Sequence, residues 1–481
     1  YPSYKGKFFF SNHHISHAAS AFLPSGFEEA AILTVDGVGE NVTATISKGE
    51  KNKIIPLKKM LYPHSVGLLY STITTFLGFK ANSGEYKVMG LAPYGNPKYV
   101  SEIKNNLIDI KEDGSFRLNQ DYFEYTTGLT MTNSKFDNLF GEKPRKPETQ
   151  IRQFHMDIAS SIQNVIEEII LKLTKSIREE YKIDNLCLAG GVALNCVANG
   201  KILKEGAFKN IWIQPASGDA GGAIGACLAF WYLEKNKERQ ISDNDGMQGS
   251  YLGPEYSEKE IESILKEIGA IYESLDEDEI IKRTAIDISN GKAIGWFQGR
   301  MEFGPRALGA RSILGDPRNP NMQKILNLKV KYRESFRPFA PSILSEDISS
   351  WFDINVESPY MLFVAKVNDK IKLEMTKEQK NLFGIDKLNV QRSTIPSVTH
   401  VDYTARVQTV DGKNNNKYFK LLKKFKEITG CPILINTSFN IRGEPIVNTP
   451  IDAYSCFMGT ELDKLIIGNF YLDKKLQLSK L

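Results

Sequence analysis

The sequence has few of the features that mark membrane-spanning, disulfide-rich or nucleic-acid-binding proteins. No run of 18 or more apolar residues occurs, so no transmembrane helix is predicted. Five cysteines are scattered without a CxxC pair, which favours reduced core residues in a cytoplasmic protein. The formal net charge of +4 over 481 residues is too small to bind nucleic acid through bulk electrostatics. The chain begins without Met and without a signal-peptide pattern, so we expect a fragment whose earlier residues are missing.

Basic residues are concentrated in one stretch, residues 298–339. It holds nine Lys or Arg residues and three acidic ones, and several of the arginines follow Gly or Pro, as in GPR, GAR and DPR. Such turns expose backbone N–H groups beside guanidinium groups, which suits a compact polyanion. A solvated basic surface, the alternative, would mix both signs along a helix. The stretch therefore predicts a phosphate-binding pocket.

The segment near the start of the chain carries candidate metal ligands. HHISHAASAF predicts a helix capped by Ser11 or Asn12. His13 and His17 are four residues apart and share one face, where two imidazoles can chelate a divalent metal. A pair of partly buried, hydrogen-bonded histidines is the alternative.

A β-hairpin is predicted next, over residues 30–50. Its first strand is apolar and ends at Asp36, whose carboxylate could join the two histidines at a metal. The alternative is a turn aspartate that caps its own backbone.

Two βα units follow a long helix predicted over residues 151–180. They span residues 185–202 and 210–230, and each places a Gly-rich turn between a strand and a helix. Such turns present N–H groups to phosphates, and the pair fits the actin/hexokinase-type ATPase fold. Asp219, in the second turn, could complete the metal site. Two histidines and two carboxylates favour Fe, Mn or Zn over an all-oxygen Mg site.

Other polar residues are isolated candidates. Lys87 lies in a predicted Gly/Pro-bounded loop, where it could contact a phosphate or remain a plain surface lysine. Residues 392–410 predict a strand, residues 416–429 a helix and residues 431–438 a buried strand that ends in polar residues. The polar residues at the end of the last strand and in the loop after it suit an oxyanion site, with a polar turn as the alternative: Asn436, Ser438 and Arg442. His400 and Arg406, on the predicted strand over 392–410, are further polar candidates.

Ten ordered motifs resemble the O-carbamoyltransferases of nodulation-factor and antibiotic biosynthesis, over nearly the whole chain. They are NHHISHAASAF, TVDGVGE, PHSVGLLYS, GEYKVMGLAPYG, LAGGVALNCVANGKI, SGDAGGAIGA, GRMEFGPRALGARSIL, FRPFAPSIL, VTHVD and NTSFNIRGEPIV. The resemblance implies an α/β fold with an actin/hexokinase-like ATPase-type domain over residues 1–240, lacking the first segment of the family. It also implies a linker and connecting helix over 241–275 and an α+β, threonylcarbamoyl-AMP-synthase-like domain over 276–481.

The resemblance also implies a two-step reaction. In the family, the C-terminal domain converts ATP and carbamoyl phosphate to carbamoyl-adenylate. The N-terminal domain binds Fe(II), with Mn or Zn as alternatives, and moves the carbamoyl group to a hydroxyl of a small molecule or glycan. ATP and Mg complete the implied cofactors, a homodimer is typical, and neither nucleic acid nor membrane is an implied partner. Asp36 and His14 are candidates for the base that accepts the hydroxyl proton.

Motif matching assigns these roles residue by residue. The implied metal ligands are His13, His17, Asp36 and Asp219. The implied catalytic residues are Arg306, Lys331, Arg337 and Arg442. The remaining candidates for binding substrate or nucleotide are Lys87, Gly190, Gly191, Asn195, Gly218, Gly222, Arg300, Arg311, His400, Arg406, Asn436 and Ser438. An actin-like ATPase or sugar kinase, and a tRNA threonylcarbamoylation enzyme, stay open as other functions.

Overall fold

The structure is a computed structural model that describes residues 5–241, 245–334 and 336–478. The chain divides into two compact units, residues 1–246 and residues 247–481. Residues 247–275, predicted as part of a linker and connecting helix, belong to the second unit. Residues 242–244 of that predicted linker lie outside the described residues.

The first unit is built on a mixed sheet in the order β3-β2-β1-β6-β7, in which β1, β2 and β3 are antiparallel and β6 and β7 run parallel to β1. A separate two-stranded ribbon pairs β4 with β5. The strands are β1 (Glu29–Gly39), β2 (Val42–Glu50), β3 (Lys53–Leu61), β4 (Ile108–Ile110), β5 (Phe116–Leu118), β6 (Asn185–Ala189) and β7 (Asn210–Ile213). The central strands β1 and β6 are apolar and buried, as strands covered on both faces should be.

Two α-helices of the first unit, α1 and α8, matter for the position of the site. Within the described residues, the α-helices of this unit are α1 (His13–Phe22), α2 (Val66–Phe76), α3 (Glu85–Leu91), α4 (Val100–Glu102), α5 (Ser134–Phe140), α6 (Gln153–Tyr181), α7 (Cys196–Glu205) and α8 (Asp219–Leu228). The predicted helix HHISHAASAF is confirmed residue by residue, and the long predicted helix is confirmed as α6. Lys87 was predicted to lie in a loop. This is wrong, because α3 begins at Glu85, with Gly84 as its N-cap, and Lys87 lies in its first turn.

The second unit is built on a larger mixed sheet in the order β12-β13-β11-β14-β10-β9-β15-β16-β8. Its strands are β8 (Glu273–Ser274), β9 (Ile294–Phe297), β10 (Arg311–Gly315), β11 (Ala340–Leu344), β12 (Phe363–Lys366), β13 (Thr404–Val410), β14 (Ile433–Ser438), β15 (Lys464–Ile467) and β16 (Phe470–Asp473). Its helices are α9 (Glu258–Glu267), α10 (Glu277–Ser289), α11 (Met322–Ile325), α12 (Ile348–Trp351), α13 (Lys377–Lys380), α14 (Asn416–Thr429), α15 (Pro450–Met458) and α16 (Lys474–Leu478).

Two sequence predictions for the second unit have different outcomes. The helix over residues 416–429 is confirmed as α14, which buries Tyr418, Leu421, Leu422 and Phe425 on one face. The strand over residues 392–410 is confirmed only from Thr404 onward, because Pro396 starts a short 3₁₀ turn upstream.

Two further sequence expectations concern cysteines and membranes. Four of the five cysteines are buried, but Cys227 lies on the exposed side of α8, so the prediction of a core position is wrong for it. Among the described residues, no helix combines the length and apolarity needed to cross a membrane.

Candidate functional site

Four side chains predicted as metal ligands converge in the first unit. The Nε2 atoms of His13 and His17 lie 3.0 Å apart, and Asp36 Oδ2 lies 2.8 Å and 2.9 Å from them. Asp219 Oδ1 is 3.7 Å from His13 Nε2 and 3.8 Å from His17 Nε2. One potential ligand atom from each residue lies within 4.8 Å of all the others. We call these four residues the His/Asp cluster.

Helix α1 holds the two histidines in place through contacts at its N-terminus and along its length. The Asn12 side chain makes no capping bond; instead, the Glu40 carboxylate accepts the backbone N–H of His13 at 3.2–3.3 Å. A negative charge at this end of a helix is stabilising. Along the helix, a Cβ at Gly225 of α8 would lie 1.8 Å from the Ser16 carbonyl oxygen, so α8 approaches α1 as closely as only glycine allows.

Asp36 lies where β1 leaves its regular pairing. The parallel ladder between β1 and β6 ends at Thr34, and the pairing of β1 with β2 shifts register between Val35 and Gly39. Asp36 Oδ1 accepts N–H groups from Gly37 at 2.8 Å and from Gly191 at 3.1 Å. The Gly-rich turn after β6 therefore fixes one carboxylate oxygen and leaves Oδ2 directed at the histidines.

The contacts within the cluster shift the pKa values of Asp36 and His13. Burial alone would raise the pKa of Asp36, but hydrogen bonds from His13 and His17 lower it far below its ordinary range. The hydrogen bond to Asp36 raises the pKa of His13, against the opposing effect of burial. Asp36 is therefore an anion at neutral pH.

A divalent metal ion fits this arrangement. Three atoms that carry lone pairs lie 2.8–3.0 Å from one another, and the side chain of His17 is fully buried. A single proton cannot bridge all three atoms, whereas ligands about 2.0–2.2 Å from one shared ion stand at such separations. Mixed imidazole and carboxylate donors suit Fe, Mn or Zn.

His14, a candidate base at the sequence level, faces away from the cluster. Its Nδ1 pairs with the Thr34 hydroxyl at 2.7 Å, and its Nε2 lies 2.9 Å from the carbonyl oxygen of Val42. Because a carbonyl oxygen only accepts, Nε2 carries the proton and Nδ1 accepts from Thr34. Burial lowers the pKa of His14. Both nitrogens are engaged within the fold, so the structure gives His14 a structural role and contradicts its candidacy as a base.

The candidate nucleotide-binding residues of the first unit fall into two groups. Gly190 has φ of +90°, and a Cβ there would lie 2.2 Å from the Val35 carbonyl oxygen, so this turn packs tightly on β1. Asn195 caps α7 by accepting the N–H of Ala198 at 3.1 Å. By contrast, a Cβ added at Gly218 or Gly222 would meet no described atom within 4 Å. The turn before α8 is therefore the more open of the two.

A second set of predicted residues meets in the second unit, around the turn after β14. The Lys331 ammonium is buried and donates to the backbone and side-chain oxygens of Ser438 and Asn440. Burial, followed by the positive charge of Arg333, lowers the pKa of Lys331 well below its ordinary value. Since its donors already have oxygen partners, a phosphate would have to replace one of them.

Two arginines near Lys331 share one acidic partner. Arg337 donates from Nη2 to Glu334 Oε2 at 2.7 Å, and Arg442 Nη2 lies 3.9 Å from Glu334 Oε1. The charge of Arg337 also lowers the pKa of Lys331, which places these two cations near each other. The two guanidinium groups beside the buried Lys331 give this part of the unit a positive charge, which suits an anionic ligand. We call Lys331, Glu334, Arg337 and Arg442 the basic cluster.

The remaining candidates of the second unit do not all join the basic cluster. Arg311 is fully buried: its guanidinium donates to the carbonyl oxygens of Gln298, Gly299 and Pro254, and burial lowers its pKa to about 10. Its Nη1 and Nη2 groups are thus bound within the fold, and a substrate contact by Arg311 stays a prediction. Arg300 is exposed and contacts the Gly253 carbonyl oxygen at 3.1 Å.

Three polar candidates lie on or beside β13 and β14. Asn436 is buried and donates from its side-chain amide to the Ser342 hydroxyl and to Gln408, and ligand binding by it stays a prediction. His400 lies 3.6 Å from Asp402, and Arg406 is half-buried on β13.

In the first unit, the ammonium nitrogen of Lys87 lies 5.3 Å from the centroid of the Phe79 ring, within the range of a cation–π contact. Ligand binding by His400, Arg406 and Lys87 stays a prediction.

Sequence reasoning missed three acidic residues that organise these sites: Glu40, Glu302 and Glu334. Glu40 caps the helix of the histidines, and Glu334 joins two arginines. Glu302 and Glu334 are two of the three acidic residues in the basic stretch. Isolated acidic residues among many basic ones are the sequence signal that could have indicated them.

The chain shows matches to known proteins along most of its length. The family model described as carbamoyltransferase N-terminus matches residues 3–228, and the one described as carbamoyltransferase C-terminus matches residues 285–474. Nodulation protein NolO of Bradyrhizobium diazoefficiens is 37% identical over 470 residues, which cover 96% of this chain and 79% of that protein. The two α/β units and their matches define a group-transfer enzyme, and the chain belongs to the carbamoyltransferase family.

Two other relatives add to this result. An uncharacterised protein of Synechocystis sp. is 57% identical over 97% of this chain and 76% of its own length. The 3'-hydroxymethylcephem-O-carbamoyltransferase of Streptomyces clavuligerus is 30% identical over 59% of this chain and 48% of its own length. By family, the chain is therefore a carbamoyltransferase.

Proposed function

We propose that this chain is an ATP-dependent O-carbamoyltransferase whose two half-reactions take place on its two units. The observation that carries the proposal is the convergence of His13, His17, Asp36 and Asp219 within 4.8 Å. These residues lie in the part matched by the carbamoyltransferase N-terminus, and the basic cluster lies in the part matched by the C-terminus. The proposal assigns activation of the donor to the second unit and transfer to the first.

In the second unit, carbamoyl phosphate, ATP and water would give carbamoyl-adenylate, pyrophosphate and inorganic phosphate. Carbamoyl phosphate and ATP are polyanions, and the positive charge of Lys331, Arg337 and Arg442 favours their binding. Arg337 is buried, so its charge acts in an environment that water screens weakly. Fixed cations in such an environment stabilise charge that develops on phosphate oxygens during transfer.

In the first unit, the acceptor hydroxyl would attack the carbamoyl carbon and AMP would leave. The His/Asp cluster would hold Fe(II), with Mn or Zn as alternatives, and such an ion would supply Lewis-acid polarisation of the carbamoyl carbonyl. The chain itself contributes the orientation of this site: Gly191 fixes Asp36, and Glu40 fixes the first turn of α1.

The sheet of the first unit supports the ATPase-type architecture implied by the motifs. Gly-rich turns follow β6 and β7, and the open turn at Gly218 precedes α8, whose N-terminus attracts phosphate. We therefore propose that the adenylate, or ATP as its Mg complex, approaches Gly218 and Gly222.

The acceptor is proposed to be a hydroxyl of a small molecule or glycan. The Streptomyces clavuligerus relative is named for the transfer of a carbamoyl group to the oxygen of a 3'-hydroxymethylcephem. NolO is described as a nodulation protein. A homodimer and a cytoplasmic location also stay predictions for this chain.

The test of the proposed function uses ATP and carbamoyl phosphate without an acceptor. Mass spectrometry should detect carbamoyl-adenylate and pyrophosphate, and both products should form at least about 100-fold more slowly in the Arg306→Ala and Arg337→Ala variants. If ATP stays intact, the proposal fails. If ATP is converted to ADP without any need for carbamoyl phosphate, an actin-like ATPase becomes the better assignment.

A further inference from the structure

Part of the basic stretch forms a loop in which backbone N–H and carbonyl groups are hydrogen-bonded to side chains of the second unit. The loop spans residues 303–311 and carries Arg306. Glu302 Oε1 accepts the N–H groups of Leu308 at 2.7 Å, Ala310 at 2.8 Å and Arg311 at 3.3 Å. Glu302 is only 4% exposed, so these bonds form away from water. One buried carboxylate oxygen therefore fixes three backbone groups.

Two carbonyl oxygens of the same loop, those of Leu308 and Gly309, each accept two hydrogen bonds from side chains. Tyr251 and Gln408 donate to the Leu308 carbonyl oxygen at 2.8 Å and 2.7 Å. Trp296 and Asn415 donate to the Gly309 carbonyl oxygen at 2.9 Å and 3.2 Å. With Glu302, these four side chains form what we call the loop-supporting cluster.

The backbone of the loop also has little freedom of its own. Gly309 has φ of +111°, and a Cβ there would lie 2.3 Å from the Tyr418 ring. At the other end of the loop, Phe303 donates its N–H to the Ser250 carbonyl oxygen at 2.7 Å and accepts from the Ser250 hydroxyl at 2.5 Å. Arg306 therefore lies on a four-residue span between two fixed anchors, Phe303 and Leu308.

We infer that Glu302 is a positioning residue: it holds the loop so that Arg306 is presented to the phosphate-bearing substrate in a fixed geometry. This inference rests on the proposed function of the second unit, in which Arg306 contacts substrate. In this inference the loop-supporting cluster acts on the substrate only through the loop backbone, to which its side chains are bonded. Fixed geometry matters because a displacement of about 1 Å in a positioning group can lower a rate about 100-fold.

The test compares Glu302→Gln with the wild type in two measurements. Glutamine has the same shape and keeps an oxygen acceptor, but it lacks the charge that strengthens the three bonds. Hydrogen exchange of the Leu308, Ala310 and Arg311 amides should quicken by roughly tenfold or more, because exchange reports local opening. The kcat/KM for carbamoyl phosphate in adenylate formation should fall by roughly tenfold.

A double-mutant cycle separates positioning from loss of general stability. If Glu302 acts through Arg306, then Glu302→Gln should lower kcat/KM by less than about twofold in the Arg306→Ala background. Asp316→Asn is the matched control, because Asp316 is also 4% exposed but bonds to Arg318. It should leave exchange of the loop amides unchanged.

Each outcome decides the inference. Unchanged amide exchange in Glu302→Gln would overturn it, and so would additive effects in the cycle. If the wild type forms no carbamoyl-adenylate, the proposed function fails and the positioning role fails with it. If the wild type is active and Glu302→Gln matches it in kcat/KM, the proposed function stands and only the positioning role is rejected.

Discussion

The first unit brings together imidazole and carboxylate atoms that favour a bound cation, whereas the second brings together Lys and Arg side chains that favour a bound anion. In the His/Asp cluster, two imidazole nitrogens and a carboxylate oxygen meet within 3.0 Å. In the basic cluster, Arg337 and Arg442 share Glu334, and Lys331 is buried nearby. Both clusters hold charged side chains in partly buried positions, where an uncompensated charge lowers the stability of the fold and a bound ligand of opposite charge offsets that cost. The difference in sign indicates which ligand each unit takes.

The two sites also differ in what holds them. The residues of the His/Asp cluster lie on regular elements, α1, β1 and the start of α8, which pack through small residues. The basic cluster and the loop-supporting cluster depend on loops tied by bonds from side chains to backbone. Substitutions in the first unit should therefore act through packing, and those in the second through hydrogen bonds.

The largest effect is expected from Asp36→Asn. Loss of the charged ligand should weaken metal binding by more than about 100-fold, beyond the 10–100-fold typical of a lost outer partner. Transfer to an acceptor should stop, while carbamoyl-adenylate formation continues. Metal content and both half-reactions, assayed separately, check this. If adenylate formation is lost as well, the separation of roles between the units is wrong.

A smaller effect, on adenylate formation and not on metal binding, is expected from Arg337→Gln. Removal of a buried donor to a charged group costs about 1.5–3 kcal/mol, so adenylate formation should fall roughly 10–100-fold. Metal content should not change. The control is Arg283→Gln, which removes a positive charge that pairs with Glu273 on the surface of the same unit. Equal losses in both variants would show that the effect comes from overall charge alone.

Close packing of α1 against α8 is tested by Gly225→Ala. The added Cβ would lie 1.8 Å from the Ser16 carbonyl oxygen, and the resulting shift should destabilise the first unit by about 1–3 kcal/mol. The matched change Gly222→Ala enters open space on the same helix and should stabilise by up to about 1 kcal/mol. Urea unfolding of the two variants measures the difference. Equal midpoints would contradict the packing argument.

Acid sensitivity should reside partly in the first unit, at His155. Burial, followed by the charges of Arg152 and Arg145, lowers the pKa of His155 from 6.5 to about 4. As pH falls, the unfolded chain binds this proton first, so stability is lost between about pH 6.5 and about pH 4. The expected loss is roughly 1–3 kcal/mol. The measurement is unfolding free energy against pH.

The control for this prediction is His155→Gln. His155 Nδ1 accepts the N–H of Arg152 at 2.8 Å, and glutamine can make the same capping bond without titrating. The variant should therefore lose most of the pH dependence in that range. An unchanged slope would assign the acid sensitivity to other groups.

The same contrast explains what the sequence could predict. The spacing of His13 and His17 predicts one helix face. Asp36 lies near the carboxyl end of β1 and Asp219 follows β7, and the carboxyl ends of these parallel strands share one sheet edge. Regular geometry therefore predicted the set that converges. The buried position of Arg311 could not be predicted, because its guanidinium binds backbone carbonyl oxygens that only the folded unit brings together. Glu302 was missed because its partners depend on how a loop of nine residues folds back on itself, which no periodicity encodes.

The most direct test of this account is the metal content of the purified protein. The wild type, dialysed against a weak chelator and analysed by plasma mass spectrometry, should retain about one Fe, Mn or Zn per chain, as expected for a site of this ligand set. Asp36→Asn and His17→Ala should retain almost none. Equal metal content in all three proteins, or none in the wild type after reconstitution with each ion, would contradict the assignment of the His/Asp cluster as a metal site.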